Sequence, residues 1–254
     1  MHHLVAQIIL LALVQVPCRS MVEMSSQERY QKFLSLIDSG IPEKDSISFY
    51  ELGLNSDDPL IYLHCLDWAV ATRKVESLVT LEQRFADPSV VDEVRRQTKI
   101  AIIKLRFFYT KPELKRDFLR EMLKTENPDR LPELFEWLMD MICEWGNTED
   151  SALLTKLEHI PSLMQTLKFT RERLSIDKSK RNTLEAYIRL YRSDSRKTRI
   201  WALRKLSRLD HAKVGEFLTH LYQEANLSYS RMEFHDIQTA YLNHKRSFPN
   251  HYQK

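Results

Sequence analysis

Three Asp-Pro or Asn-Pro steps occur in this sequence, each ahead of a stretch in which apolar residues recur at helical intervals: Asp58-Pro59, Asp87-Pro88 and Asn127-Pro128. The side-chain oxygen of Asp or Asn can accept hydrogen bonds from the first turn of a helix, and Pro fits the first helical position because no N–H is needed there. Only 4 of the 254 residues are Gly, although hairpin turns and phosphate-binding loops depend on Gly. The sequence therefore predicts an all-α protein.

The apolar spacing predicts helices along nearly all of the chain after residue 24. The first begins with the capping-box pattern Ser25-Ser26-Gln27-Glu28 and ends before Gly40. Residues 43–57 are predicted to form a short helix or a loop. The later predicted helices cover residues 59–72, 74–85, 88–109, 112–124, 131–145, 151–158, 161–174, 178–192, 194–209, 212–225 and 229–245. Because the connections are only a few residues long, consecutive helices are expected to be antiparallel neighbours.

The segment from Asp58 to Cys65 resembles the opening of a HEAT repeat. In that family an Asp-Pro start is followed by a Val-Arg pair and by small residues where the two helices touch. Here Ile61 stands at the Val position, Cys65 stands at the small position, and Tyr62 replaces the Arg. Further stretches are similar to the same pattern, and the resemblance extends over about half of the chain: Val94-Arg95 with Thr98, Ala101 and Leu105, and Thr198-Arg199 with Ala202 and Leu206.

This resemblance implies a right-handed α–α superhelix, that is, a HEAT-like solenoid of stacked antiparallel helix pairs, over residues 58–254. Residues 21–57 would form a helical cap in front of it. Repeats of this kind bury their apolar faces only by stacking, which leaves a long ridged surface open to a partner. A helical bundle without repeats is the alternative, because any amphipathic helix pair satisfies much of the pattern.

The first twenty residues predict a secretory signal peptide. An apolar run from Leu4 to Val16 is too short to span a bilayer, and small residues at Cys18 and Ser20 suit cleavage after residue 20. The expected location is therefore the periplasm or the cell exterior, with no membrane span once the leader is removed. The run lacks a preceding Lys or Arg, so a cytoplasmic protein that starts at Met24 is the alternative.

No pattern in the sequence indicates a catalytic centre, a cofactor or a metal site. The three cysteines lack CxxC spacing, and Cys65 and Cys143 lie in apolar helical stretches typical of a core. Glu216 and His220 have the i, i+4 spacing of a ligand pair, but two such residues more often form a surface pair. HExxH, GxSxG and Walker-type sequences are absent. The protein is predicted to be non-enzymatic.

An acidic line runs along the predicted helix 131–145. It consists of Glu133, Glu136, Asp140 and Glu144. A solvated helix face explains this line most simply, and a binding surface for a basic peptide or partner helix is the functional interpretation.

Basic residues are concentrated between Lys178 and Arg208. Four of them lie on both sides of a predicted helix break at 193–195, and we call this group the arginine corner: Arg189, Arg192, Arg196 and Arg199. Trp201 follows closely, and a corner with cations and an aromatic ring is the best candidate for binding an anionic partner. A solvated helix surface is again the simpler interpretation.

Two functions follow from these patterns. The first is a non-enzymatic protein–protein interaction scaffold, exported, that holds an unidentified partner protein on its helical ridge. The alternative is a DNA-binding protein similar to the HEAT-like alkylpurine glycosylases, which would use the basic region 178–208. The net charge of only +3 and the predicted signal peptide favour the first. A third idea, an enzyme with a pocket between helices, has no residues to assign to it.

Overall fold

The structure, a computed structural model, describes residues 24–41, 43–176, 183–228 and 230–252. Within these ranges the chain has helices and no strand, so the all-α prediction is confirmed. Twelve α-helices occur there: α1 (Ser26–Asp38), α2 (Glu43–Gly53), α3 (Pro59–Ala71), α4 (Leu78–Ala86), α5 (Asp92–Tyr109), α6 (Lys115–Thr125), α7 (Pro132–Trp145), α8 (Met164–Leu174), α9 (Thr183–Tyr191), α10 (Arg196–Leu206), α11 (Ala212–Ser228) and α12 (Arg231–Ser247). None of these helices is both long enough and apolar enough to cross a bilayer.

Short 3₁₀ segments connect or extend several of the helices. They comprise Val75–Ser77, Pro112–Leu114, Thr148–Leu157, Pro161–Leu163 and Pro249–Tyr252. The helix expected at 151–158 is thus a 3₁₀ segment, in which Asn147 and Asp150 form a reciprocal capping box. The start of the helix expected at 178–192 lies partly outside the described residues.

The chain divides into two compact units, with the boundary between Phe118 and Leu119. The N-terminal unit has a core in which residues of α1 to α5 pack together, including Phe33, Tyr62 and Leu105. The C-terminal unit has its own core, to which α9 to α12 contribute. In each unit the extensive helix contacts join helices that are adjacent or next but one along the chain.

Asp58 caps α3 as the Asp-Pro pattern predicts. Its carboxylate accepts hydrogen bonds from the backbone N–H groups of Leu60 at 3.0 Å and Ile61 at 3.5 Å. The same carboxylate also accepts the Ser26 hydroxyl and the Arg29 Nε–H, each at 2.9 Å, and it is 4 % exposed. Asp58 therefore caps the first turn of α3 and joins α1 to α3 through hydrogen bonds.

The other two Pro steps do not start helices, so the start predicted at Pro88 was wrong, whereas α7 begins within one residue of the predicted start at 131. The Asp87 carboxylate instead accepts the backbone N–H of Ser89 at 2.8 Å, and Asn127 binds the N–H of Asp129 in the same way at 2.9 Å. A side chain used in such a turn is not available to cap a helix. For this reason α5 and α7 begin four residues after the Pro, at Asp92 and at Pro132.

A buried histidine connects the 3₁₀ segment Pro249–Tyr252 to α12 and to the backbone at Leu209. His244 is fully buried, and its Nε2 lies 2.9 Å from the Leu209 carbonyl oxygen while its Nδ1 lies 2.7 Å from the Tyr252 hydroxyl. A neutral ring satisfies both contacts, because Nε2–H donates to the carbonyl and the tyrosine O–H donates to Nδ1. Burial lowers the pKa of His244 and raises the pKa of Tyr252 to about 12.

Candidate partner-binding surface

The arginine corner lies where α9 ends and α10 begins, as the sequence predicts. The Ser195 hydroxyl oxygen accepts the Thr198 backbone N–H at 3.4 Å and caps α10, while the Ser193 hydroxyl oxygen accepts the N–H of Ser195 at 3.3 Å. These two serines explain the break in the helical pattern, because their side chains take over hydrogen bonds that a continuous helix would make.

Two arginines of the corner are held by the chain itself. Arg196 donates to the Asp236 carboxylate and Arg199 to the Glu233 carboxylate, both at 2.8 Å, and both acids belong to the first turns of α12. Arg199 also donates to the carbonyl oxygens of Ser193 and Asp194 at 3.0 Å each. Arg196 and Arg199 thus join α10 and its preceding turn to α12.

The other two arginines face an open groove. Arg189 and Arg192 are exposed and make no ion pair with another described residue. Together with Lys168 of α8 they line a groove of about 620 Å³, and Lys168 is likewise exposed and unpaired within the described ranges. Only two of the four arginines of the corner therefore line the groove without an ion pair to a described residue. Lys168, which the sequence pattern did not single out, adds a third cation to this groove.

The groove also has apolar and acidic lining. Phe169 and Leu190 line it, and so do the acidic residues Glu172 and Asp194. Such a mixed lining favours a ligand that places a few negative charges at defined positions, because further charges would meet the two carboxylates.

Trp201 lies in the interior of the C-terminal unit and is only 7 % exposed. Its ring packs edge-to-face on Tyr187 at 5.5 Å, and the Arg173 guanidinium and the Lys205 ammonium lie 5.8 Å and 5.4 Å from its centre. The indole N–H has no hydrogen-bond partner among the described residues. A ring in this position stabilises packing between α9 and α10, and its face is not open to a ligand.

Two carboxylates of the acidic line on α7 bind basic residues of the same unit. Asp140 accepts a hydrogen bond from Arg173 at 3.0 Å, and Glu144 pairs with Lys205. Glu133 and Glu136 are exposed. Basic residues of α8 and α10 thus bind two acids of this line within the same chain. The sequence pattern suggested such contacts with a basic partner.

Arg173 is a buried residue that the sequence pattern did not single out. It is 3 % exposed and reaches Asp140, Cys143 and Thr198, so that it joins α7, α8 and α10. Its Nε has no hydrogen-bond partner among the described residues. Nothing in the spacing of a basic, surface-like stretch indicates which arginine will turn inward.

Both cysteines among the described residues lie in α-helices, Cys65 in α3 and Cys143 in α7. Cys65 and Cys143 are buried, and burial raises the pKa of the Cys65 thiol to about 12 and that of the Cys143 thiol to about 11. A thiol with such a pKa is protonated at neutral pH and is a poor nucleophile. No group of three His, Cys, Asp or Glu side chains in the described ranges is placed to hold a metal ion.

Comparisons with known proteins give no relative for this chain: no family model, no curated protein and no solved structure matches it.

Proposed function

We propose that the protein is a non-enzymatic interaction module, exported and built on HEAT-like helical repeats, which holds an acidic segment of another protein. The groove beside Arg189, Arg192 and Lys168 is the binding surface in this proposal. The observation that carries it is the presence of three exposed, unpaired cations around one groove, while neighbouring arginines are already neutralised.

The unpaired state of these side chains matters energetically. An exposed ion pair contributes only about 0.2–1 kcal/mol to the free energy of binding. An arginine that must first leave an internal partner contributes less, because the energy of the internal pair is lost. Three free cations can contribute together, and they also accelerate encounter with an acidic partner through long-range attraction. Contacts between helices adjacent along the chain support a stack of helical repeats. Such a stack would leave this surface exposed to solvent and accessible to a partner.

A flexible acidic peptide tests the proposal. We would measure the affinity of a fluorescein-labelled 12-residue peptide of alternating Glu and Ser by anisotropy at low salt. Replacing Arg189 and Arg192 by Glu should weaken binding at least about tenfold, because two attractive contacts become repulsive.

The matched control uses two other exposed arginines. Arg204→Glu with Arg208→Glu changes the net charge by the same amount, but neither residue lines the groove. Binding to this variant should stay within about threefold of the parent, since distant surface charges are screened. Equal losses in the two variants would show that net charge alone attracts the peptide, and the proposal would fail.

DNA binding through the region 178–208 has less support. The exposed cations Lys197, Arg204 and Arg208 would suit a phosphate backbone, but Trp201 is buried and cannot stack on a base. A duplex of 20 base pairs in the same anisotropy assay distinguishes the two functions. Tight binding with a steep salt dependence would favour DNA over an acidic protein segment.

A further inference from the structure

The C-terminal unit contains an internal example of how its arginines bind acids. Glu233 and Asp236 are three residues apart on α12, and they meet Arg196 and Arg199, which are three residues apart on α10. Residues at i and i+3 share one face of a helix, so the two acids of α12 point to the same side and each finds one arginine. Two matched charge pairs are the result, both at 2.8 Å.

The unoccupied arginines repeat this spacing. Arg189 and Arg192 are also three residues apart, and the N–H of Arg192 donates to the Arg189 carbonyl oxygen at 3.1 Å, which continues the helical turn at the end of α9. Both side chains line the groove, and neither is paired with a described residue. The chain thus carries two arginines at i and i+3 twice: one pair binds the acids of α12, and the other lines the groove without a partner among the described residues.

We infer that the segment bound in the groove is an amphipathic helix that carries two carboxylates at i and i+3, and this inference rests on the function proposed above. The carboxylates pair with Arg189 and Arg192 as those of α12 pair with Arg196 and Arg199. An apolar residue of the same helix face packs on Phe169 and Leu190. Only one face of the helix enters the groove, in the way that amphipathic helices bind open grooves.

The acids of the groove limit which helices fit. Glu172 and Asp194 line the same groove as the cations, so that a helix with additional carboxylates on the docking face would be repelled. A helix with two acids in the correct register is therefore favoured over a uniformly acidic one.

Two helical peptides of identical composition test the register. Both have 16 residues, are built on Ala and Gln, and carry one Leu and two Glu; in the first peptide the Glu residues are three apart, and in the second they are two apart. Residues two apart project to opposite sides of a helix, so the second peptide can place only one carboxylate in the groove. The first peptide should bind about threefold to fivefold more tightly at low salt, which corresponds to one exposed ion pair.

A charge exchange locates the contact and does not depend on a loss of folding. The variant with Arg189→Glu and Arg192→Glu should bind the first peptide at least about tenfold more weakly. It should recover binding to a version of that peptide in which both Glu are replaced by Lys. Recovery requires a folded variant, so circular dichroism is needed only to confirm its helix content.

The outcomes separate this inference from the function on which it rests. Equal affinity for the two register peptides, or failure of the Lys peptide to bind the exchanged variant, would overturn the helix inference alone if the Glu-Ser peptide still binds at the groove. If neither the helical peptides nor the Glu-Ser peptide bind, both the inference and the proposed function are refuted.

Discussion

Replacing Asp58 by Ala is expected to destabilise the N-terminal unit by about 3 kcal/mol, because three separate contacts of one carboxylate are lost. The helix cap on Leu60 and Ile61 contributes about 1 kcal/mol. The bond from Arg29 contributes about 1 kcal/mol, less than a fully buried charged bond would, because the Arg29 side chain is 30 % exposed. The Ser26 hydroxyl adds about 0.5–1 kcal/mol.

Two other variants separate the contributions to the expected loss of stability. Asp58→Asn keeps the capping oxygen, since Asn caps as well as Asp does, but removes the charge that attracts Arg29, so a loss of about 1 kcal/mol is expected. Asp57→Ala removes the neighbouring carboxylate, which is 95 % exposed and lies 3.4 Å from Arg84. Its effect should stay within about 0.5 kcal/mol.

Native-state hydrogen exchange is the appropriate assay, because the chain divides into two compact units and a single denaturation curve would report on both of them together. The free energy of opening is read from peptides of α1 and α3, measured for the parent and the three variants. An Asp58→Ala loss below about 1 kcal/mol, or one no larger than that of Asp57→Ala, would refute the assignment of Asp58 as the residue that joins α1 to α3.

Three further outcomes follow from close contacts and from burial. Gly53→Ala should lower the free energy of opening of the N-terminal unit by about 1–3 kcal/mol in native-state hydrogen exchange, because the new methyl would overlap the Cys65 sulfur, and Cys65→Ala should relieve most of this loss. Gly215→Ala should speed hydrogen exchange in Pro249–Tyr252, since its methyl would come within 3.1 Å of His251; unchanged exchange would contradict the contact. Because burial lowers the pKa of His244, the unfolded chain binds a proton more readily, so stability should fall as the pH drops below 6.5. A His244→Gln variant should show a flatter pH dependence of the free energy of opening, read by hydrogen exchange from peptides of α12, and an identical pH dependence would refute this.

The helices could largely be predicted because apolar spacing is a local property of the sequence. Their starts were less predictable, since Asp87 offers one carboxylate to two competing uses, a turn or a cap, and the local sequence does not decide between them. The turn at Ser89 is used in the structure, and α5 consequently begins at Asp92 and not at Pro88.

The division of the arginine corner could not be predicted from its own sequence. Arg196 and Arg199 are neutralised by acids that lie more than thirty residues further along the chain, whereas Arg189 and Arg192 are not. Trp201 is buried because α9 and α10 pack around it, which spacing within α10 alone does not indicate. Pairings between distant helices therefore decide which charges remain available.

Zero-length carbodiimide cross-linking tests the central claim most directly, because it joins an amine to a carboxylate only when the two are in contact. The full chain would be treated with the Glu-Ser peptide, and the modified lysines identified by mass spectrometry. We expect the peptide on Lys168, the lysine that lines the groove, and a loss of this product in the Arg189→Glu, Arg192→Glu variant. Peptide attached equally to Lys197 and Lys213, or absent from Lys168, would contradict the account.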